Sequence, residues 1–314
     1  MSRIHEALKK AQEERGTIPA VSEIAPTPEE STPAMPEWRP GASDGTAAPA
    51  LHPEPMVALP SGYLRFEDVR TNCAHPVWRP DPNVNVFLSP GLNANGAEQF
   101  RTLRSRLYQI RAVRPLRTLL VTSSVPREGK TFVTSNLAQS IIRQPDRRVL
   151  MIDADLRCAR VHTHLGAPSS PGLTDYLRGE VDEMAIIQHG QEGNLYLIPG
   201  GGEVANPSEL LLNGRLKKLL DRVAPIFDWV ILDSPPCLPV ADATILADFC
   251  DGVILVVRAG TTPGPVAQRA CQEMQGKNIV GIVLNAAEAG SYESYYALGY
   301  GYVNGPEEIN DSRN

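Results

Sequence analysis

The sequence predicts an α/β fold in which a mainly parallel sheet carries helices on both faces. Five short apolar runs alternate along the chain with stretches of helical periodicity. Continuous apolar runs are typical of strands buried on both faces, and their alternation with helices is typical of a parallel sheet. The predicted strands are 118–124, 148–155, 229–236, 252–257 and 278–285.

The predicted helices fit between these strands. The first helix of the domain, 96–112, precedes the first strand and has one apolar stripe along its length. That stripe consists of Phe100, Leu103, Leu107 and Ile110. A second helix follows the first strand after a short glycine-containing turn and runs through residues 136–138. This strand–turn–helix unit is the start of the predicted sheet.

Length and composition indicate a globular chain that does not bind nucleic acid. The 314 residues are 21% charged and 42% hydrophobic, and the formal net charge is −6. A nucleic-acid-binding protein would need a basic stripe. The five cysteines are scattered without a C-x-x-C pair, which argues against a zinc site and a disulfide framework. Because no run of about 18 apolar residues and no signal peptide occur, we expect a cytoplasmic protein.

Composition divides the chain into four segments. Residues 1–15 have the spacing of a short amphipathic helix, which is either a docking element or a frayed terminus. Residues 16–60 are rich in Pro, Ala, Glu, Ser and Thr, whereas 61–82 are ambiguous and could be irregular structure leading into the domain; we expect 16–82 as a whole to be a linker that is mostly disordered. The globular domain is predicted over 83–290, and a tyrosine-rich tail over 291–314.

The turn after the first predicted strand contains a phosphate-binding pattern. The sequence SVPREGKT, residues 124–131, matches G-x-x-x-x-G-K-[ST] except at its first position. Backbone N–H groups of such a loop, with the N-terminus of the following helix, bind phosphate oxygens. Lys130 can reach the β- and γ-phosphates, and the Thr131 hydroxyl can ligate Mg²⁺. The loop residues predicted to contact the nucleotide are Ser124, Arg127, Glu128, Gly129, Lys130, Thr131 and Phe132.

Three aspartates stand at the ends of two other predicted strands. Asp153 and Asp155 end the second strand, and Asp233 ends the third. Ligands of parallel sheets bind outside the carboxyl ends of the strands, so we expect these side chains beside the phosphate loop. One can ligate Mg²⁺ while another accepts a proton, although such aspartates can also simply cap turns. The neighbouring Arg157 can either steady the triphosphate or pair with an aspartate.

A cluster of tyrosines lies near the end of the chain. The stretch SYESYYALGYGY, residues 291–302, holds five of the nine tyrosines. Their spacing fits neither a helix face nor a strand face, and disordered tails normally lack aromatic residues. The cluster therefore requires an explanation other than packing. Its members are Tyr292, Tyr295, Tyr296, Tyr300 and Tyr302.

Taken together, these motifs resemble the bacterial tyrosine kinases. These are P-loop enzymes of capsule and exopolysaccharide systems, related to the MinD/ParA ATPases. The resemblance covers roughly residues 83–302. It is carried by AEQFRTLRSRL (97–107), TSSVPREGKTFVTSNLA (122–138), VLMIDADLR (149–157), GLTDYLRGE (172–180), NPSELL (206–211), DWVILDSPP (228–236) and VVRAGTT (256–262).

The resemblance implies an ATP- and Mg²⁺-dependent enzyme that phosphorylates its own tyrosine cluster in trans. Lys130 would bind the phosphates, and Thr131, Asp155 and Asp233 would coordinate Mg²⁺. Asp153 would activate the tyrosine hydroxyl, although its role and that of Asp155 can be exchanged. Asn285 stands where related ATPases contact the adenine.

The resemblance also implies an assembly and partners. Glu98, Arg101 and Arg104 match an E-x-x-R-x-x-R motif through which subunits pair in a ring, whereas their spacing alone would also fit a solvated helix face. The expected partners are a membrane-anchored polysaccharide co-polymerase that activates the kinase and a tyrosine phosphatase. We expect recruitment to the inner face of the membrane by the activator, because the sequence has no spanning sensor domain of its own.

Two positions depart from the family pattern. Arg127 stands where the loop usually has a second glycine, and it adds a positive charge near the phosphates. Val125 stands where MinD/ParA-type ATPases carry a signature lysine, which favours the kinase branch. The alternatives are a MinD/ParA-like switch ATPase without kinase activity and a non-catalytic scaffold that binds nucleotide. The tyrosine cluster and the E-x-x-R-x-x-R helix favour the kinase.

Overall fold

The computed structural model describes residues 64–88, 94–191 and 193–287. Within them the strands form one sheet. They are β1 (Thr118–Ser123), β2 (Val149–Asp153), β3 (Gln188–His189), β4 (Leu195–Ile198), β5 (Trp229–Asp233), β6 (Gly252–Arg258) and β7 (Ile279–Asn285). Their order in the sheet is β3-β4-β2-β5-β1-β6-β7. The predicted helix at 1–15, most of the predicted linker and the tyrosine cluster lie outside the described residues.

The prediction of a mainly parallel sheet is confirmed. Every pairing between neighbouring strands is parallel except that of β3 with β4. The five predicted strands correspond to β1, β2, β5, β6 and β7. Alternate residues of β1 pack on opposite faces of the sheet, with Leu119 and Val121 in one apolar cluster and Leu120 in the other. Burial on both faces explains why these strands are continuous apolar runs.

Helices connect the strands and cover both faces of the sheet. The first two are α1 (Phe66–Asn72) and α2 (Ala94–Val113). Those between β1 and β4 are α3 (Lys130–Ile142), α4 (Val161–Leu165), α5 (Leu173–Arg178) and α6 (Glu183–Ile186). The remainder are α7 (Pro207–Leu211), α8 (Arg215–Val223), α9 (Asp242–Ala247) and α10 (Gly264–Glu273). In the part of the chain that the structure describes, no helix is both long and apolar enough to cross a membrane.

The predicted linker boundary at residue 82 is wrong, because residues 64–82 are folded onto the domain. Helix α1 buries Val69 completely, and the ring of Phe66 makes edge contacts with Tyr196 and Phe227 at 5.7 and 5.9 Å between centroids. Trp78 is also buried and lies against Gly190. These few apolar side chains are separated by polar residues and prolines, so the average composition concealed them.

Residues 64–88, here called the strap, fasten the outer edge of the sheet to helix α3. Ala74 bridges to Gln188 in parallel, and the N–H of His189 donates to the carbonyl of Ala74 at 2.8 Å. Further along, the Asn136 amide donates to the carbonyl of Val84 at 2.8 Å and accepts from the N–H of Val86 at 2.9 Å. The strap therefore ends against the helix that begins at the phosphate loop.

The contact between the strap and β3 should weaken in acid. The Nδ1 atoms of His75 and His189 are 3.3 Å apart, so at least one ring must be neutral to accept a hydrogen bond. Burial lowers the pKa of His189, an effect that its contact with the carbonyl of Gly193 partly offsets. A lowered pKa means that the stabilising neutral form is fully present above the unfolded pKa of about 6.5 and is lost as the pH falls below it.

We expect His189→Gln to reveal this dependence in thermal unfolding. The melting temperature of the parent should exceed that of the variant by more at pH 7.5 than at pH 5.5, because only the parent has His189 to protonate. Comparing the two proteins at each pH cancels the titration of the groups that they share. A difference in melting temperature that stays constant over this range would contradict the role assigned to the histidine contact.

Candidate active site

The candidate active site lies at the carboxyl ends of three adjacent strands, β2, β5 and β1. The phosphate loop follows β1, Asp153 ends β2 and Asp233 ends β5. Asp153 and Asp233 are direct register partners in the sheet. The structure thus brings together the loop and both aspartate clusters, as expected from the topology of a parallel sheet.

The phosphate loop turns sharply before it enters α3. Gly129, the residue before the helix, has φ +93°, and Arg127 has φ +69°. A positive φ costs little at glycine but strains a residue with a Cβ atom. No side chain caps the start of α3. The N–H groups of its first turn therefore suit an anion such as a phosphate.

Replacing Gly129 with Ala should weaken nucleotide binding. The added Cβ would lie 2.1 Å from Nδ2 of Asn285, and the positive φ would cost roughly 1–2 kcal/mol. Because the loop must shift, we expect the dissociation constant for ATP to rise by about tenfold, measurable by calorimetric titration. Gly202→Ala is the matched control, since Gly202 has no positive φ and no atom within 4 Å of the added Cβ. Equal affinities for the two variants would contradict this account of the loop.

Lys130 and Thr131 face the carboxylates across the site. The Nζ of Lys130 lies 2.8 Å from Oδ2 of Asp155 and 3.7 Å from Oδ2 of Asp233. The hydroxyl of Thr131 donates to Oδ2 of Asp233 at 2.7 Å, and that of Thr134 donates to Oδ1 at 3.1 Å. Burial alone would lower the pKa of Lys130, but Asp233 and Asp155 outweigh it and raise the pKa. Lys130 is therefore held as a cation among carboxylates.

The two strand-end aspartates repel each other in a buried space. Burial raises the pKa of Asp153 well above its usual range, and Asp233 adds to the effect. Burial also raises the pKa of Asp233, partly offset by Lys130 and by the hydrogen bond from Thr131. Oδ2 of Asp153 accepts from the N–H of Val161 at 2.9 Å, whereas its buried Oδ1 has no partner. Burial and repulsion thus favour the neutral form of Asp153, and its Oδ1 is an oxygen that a bound cation could engage.

These oxygens fit the expected Mg²⁺. The ion prefers one or two carboxylates together with phosphate oxygens and water rather than a cage made by the protein alone. In the described ranges, no group of three or more His, Cys, Asp or Glu side chains converges as a self-sufficient metal site. The Thr131 hydroxyl, Asp155 and Asp233 are the oxygen ligands that the chain could supply, and Asp153, which has an unpartnered oxygen, is the register partner of Asp233.

Glu128 supports the loop from inside the protein. Its buried carboxylate accepts the N–H of Val125 at 2.8 Å and that of Arg258 at 3.3 Å, and it also accepts the hydroxyl of Thr262. Sequence reasoning assigned Glu128 to the nucleotide, but its side chain joins the loop to the turn after β6. The VVRAGTT motif thereby acquires a structural reason, since it contains both Arg258 and Thr262.

Asn285 joins the end of β7 to the same loop. Its amide donates to the carbonyl of Glu128 at 2.8 Å, in close contact with Gly129. Its predicted contact with the adenine stays a prediction. The observed contact shows instead that the last strand of the sheet ends against the phosphate loop.

Three further predicted nucleotide residues have distinct surroundings. The hydroxyl of Ser124 is buried without a hydrogen-bond partner. Arg127 is exposed at the loop surface, and its carbonyl accepts from Arg258 at 3.3 Å. Phe132 is half-buried, with its ring 5.8 Å from that of Phe100 in α2. Phe132 therefore packs α3 against α2.

Arg157 takes the second of its two predicted roles and pairs with an aspartate. Its partner is Asp242, the first residue of α9, at 2.7 Å from Nε to Oδ2. Sequence reasoning missed Asp242 because it belongs to no motif that was recognised. The only available signal was its position nine residues beyond Asp233, in the segment that follows the third predicted strand.

The E-x-x-R-x-x-R residues divide between the surface and the interior. Arg101 and Glu98 are exposed and pair with each other at 2.7 Å. Arg104 is half-buried and donates to the carbonyl of Ser140 in α3. Arg104 thus anchors α2 within the subunit, while Glu98 and Arg101 present charge on the outer face of the helix.

Comparison with known proteins identifies the family. A model of the AAA domain family matches residues 127–262. The tyrosine-protein kinase YwqD of Bacillus subtilis (strain 168) is 33% identical over 219 residues, which cover 69% of this chain and 91% of that protein. The tyrosine-protein kinase Etk of Escherichia coli (strain K12) is 36% identical over 202 residues, 63% of this chain but only 28% of Etk. This chain therefore spans under a third of the E. coli relative.

Two solved structures of kinase domains are similar to this chain. The kinase domain of Escherichia coli Etk superposes with a TM-score of 0.58 at 35% identity, covering 64% of this chain and 82% of that domain. The kinase domain of VpsO superposes with a TM-score of 0.56 at 29% identity, covering 63% of this chain and all of that domain.

The fold and the site define a P-loop nucleotide-binding domain. Among proteins with this domain, the chain belongs to the bacterial tyrosine kinases. The predicted enzyme class, an ATP-dependent protein-tyrosine kinase, is confirmed. The alternative, a switch ATPase without kinase activity, is not favoured.

Proposed function

We propose that this kinase phosphorylates its own tyrosine cluster in trans and thereby regulates capsule or exopolysaccharide synthesis or export. The observation that carries the proposal is the convergence of Lys130, Thr131 and the strand-end aspartates at one edge of the sheet. This set contains a cation for the phosphates, a hydroxyl and carboxylates for Mg²⁺, and a further carboxylate for a proton. Phosphoryl transfer requires these functions and little covalent chemistry from the protein.

The chain's own residues would position the nucleotide. The first-turn N–H groups of α3 and the Lys130 ammonium would bind phosphate oxygens, and Thr131, Asp155 and Asp233 would hold Mg²⁺. When bound, Mg²⁺ neutralises charge that develops on the phosphate oxygens. The hydrogen bonds of Glu128 would keep the loop rigid, which matters because catalysis of this kind depends on positioning.

Asp153 would accept the proton of the attacking tyrosine. Its Oδ1 atom has no hydrogen-bond partner, whereas Oδ1 of Asp155 accepts from the N–H of Cys158 and its Oδ2 from Lys130. A free oxygen favours Asp153 as the base, and its complete burial favours a role nearer the metal. The assignment of the two roles to Asp153 and Asp155 therefore remains exchangeable.

The course of the chain supports the tyrosine cluster as the substrate. Because β7 is parallel to β6, it ends at the same edge as the phosphate loop, where Asn285 contacts the carbonyl of Glu128. The cluster begins six residues later, at 291. The predicted ring would place each tail near the next subunit, with the exposed Glu98 and Arg101 exchanging their mutual ion pair for partners on that subunit.

The proposed partners are a membrane-anchored activator and a tyrosine phosphatase. Relatives support the polysaccharide setting, since one is described as a putative tyrosine-protein kinase in the cps region of Klebsiella pneumoniae. Each phosphorylation adds about −1.5 to −2 charges, so a fully modified tail would repel its neighbours and favour dissociation of the ring. The activator would recruit the kinase from the cytoplasm to the inner face of the membrane.

Incubation with Mg²⁺ and radiolabelled ATP tests the proposed function. Acid hydrolysis of the labelled protein should release phosphotyrosine and no other phosphoamino acid. The assay should be run with and without the cytoplasmic part of a co-polymerase from the same polysaccharide system. Steady ATP hydrolysis without phosphotyrosine under both conditions would contradict the proposed self-phosphorylation.

A further inference from the structure

Arg157 connects three segments of the chain at the rim of the active site. Its guanidinium forms a fork with the carboxylate of Asp242, from Nε to Oδ2 at 2.7 Å and from Nη2 to Oδ1 at 3.1 Å. Nη2 also donates to the hydroxyl of Ser208 at 3.1 Å, and this hydroxyl donates to Oδ1 of Asp242. Ser208 belongs to the NPSELL motif, to which the proposed function assigns no role.

The burial of Asp242 fixes the arrangement of Arg157, Ser208 and Asp242. The Asp242 side chain is 1% exposed, so its charge requires a partner, whereas the Arg157 side chain is 40% exposed. Bidentate hydrogen bonds between an arginine and a carboxylate are strong, and their geometry is specific. Arg157 is therefore the cation that compensates a buried carboxylate.

Arg157 also lies in the turn that orients Asp155. The N–H of Cys158 donates to the carbonyl of Asp155 at 3.1 Å and to its Oδ1 at 3.0 Å, which closes a turn over residues 155–158. At the start of this turn, Oδ2 of Asp155 accepts from Lys130 at 2.8 Å. A side chain anchored in the middle of the turn limits how far Asp155 can move.

We infer that Asp242 and Ser208 are positioning residues, which fix Arg157 and through it hold Asp155 against Lys130 and the expected Mg²⁺. The inference rests on the proposed function, to which it adds a second layer of residues behind the site. A direct contact between Arg157 and the triphosphate would have the opposite effect on nucleotide affinity. If Arg157 served the phosphates, release from Asp242 would strengthen nucleotide binding.

The test compares the 314-residue parent with Asp242→Asn, Ser208→Ala and Arg157→Lys. For Asp242→Asn, we expect kcat for tyrosine phosphorylation to fall by about tenfold or more, because a small misplacement of a catalytic group has large effects. KM for ATP should change by less than about threefold, since the loss concerns the transition state more than nucleotide binding. Ser208→Ala and Arg157→Lys should show the same split with smaller losses, because lysine retains the charge without the fork.

A binding readout separates this inference from the proposed function. A fluorescent ATP analogue should be titrated with Mg²⁺, and Asp242→Asn should raise the Mg²⁺ concentration for half-maximal binding. This result supports positioning of Asp155 even if the parent forms no phosphotyrosine, an outcome that would refute the proposed function alone. Unchanged Mg²⁺ dependence, or tighter nucleotide binding by the variant, would overturn the inference.

The control is Glu183→Gln, which breaks the 2.7 Å ion pair between Glu183 and Arg222. Arg222 is 43% exposed, close to the exposure of Arg157. However, this pair joins α6 to α8 and involves neither the phosphate loop nor the turn that contains Asp155. Its kinetics and Mg²⁺ dependence should equal those of the parent. If Asp242→Asn does not fold, as judged by its thermal transition, Ser208→Ala and Arg157→Lys decide the question by the same readouts.

Discussion

Replacing Lys130 with Met is expected to abolish tyrosine phosphorylation, with a loss of at least about 100-fold in kcat. The Lys130 ammonium is 2.8 Å from Asp155 and 3.7 Å from Asp233, at the start of the helix that follows the phosphate loop. The variant loses both the charge that would meet the phosphates and the cation that separates the carboxylates. Initial rates of label transfer from radiolabelled ATP measure the effect.

Lys277→Met is the matched control for this substitution. Lys277 is also a lysine of low exposure in an ion pair, with Asp248, but it follows α10 and lies outside the catalytic loops. It should retain the rate of the parent. A Lys130→Met protein that folds and keeps more than about a tenth of the parent rate would contradict the role assigned to the ammonium.

Replacing all five cluster tyrosines with Phe should remove self-labelling while leaving the active site intact. The substituted residues come after β7 in the chain, and the described contacts of Lys130, Thr131 and the aspartates are all with residues of the folded domain. We therefore expect this variant to phosphorylate a Lys130→Met protein, which has an intact tail but an impaired site. When the two are mixed, label should appear on the Lys130→Met chain alone, as separated by a size tag on one chain.

The mixture distinguishes the modes of transfer. Label on the Lys130→Met chain establishes transfer between subunits. If neither chain is labelled while the parent is, phosphorylation occurs within one chain and the trans mechanism is wrong. If the Phe variant labels itself at the parent rate, the cluster is not the principal substrate.

The position of the candidate active site at one edge of the sheet could be predicted from the sequence. It depends on local motifs and on the rule that ligands bind at the carboxyl ends of parallel strands. Each of the motifs that contain Lys130, Asp153 and Asp233 directly follows or ends an apolar run, and parallel strands bring such ends together. The spacing of residues within a motif is a property of a short segment. Their convergence, with Asp153 opposite Asp233 in the sheet, follows from the strand order.

The supporting contacts could not be predicted, because they join residues far apart in sequence. Asp242 pairs with Arg157 across 85 positions, and Asn285 contacts the loop across 157. No local spacing indicates such pairs. The strap was missed for a related reason, since Phe66 and Trp78 pack on residues more than 100 positions later in the sequence, such as Tyr196 and Gly190.

Mapping phosphate by tandem mass spectrometry, after incubation of the protein with Mg²⁺ and ATP, tests most directly whether the tyrosine cluster is the substrate. We expect phosphate on the cluster at 291–302 and none on Tyr176 or Tyr196, which are buried in the domain. Absence of phosphate from the cluster, in a preparation that consumes ATP with its activator present, would show that the cluster is not the substrate.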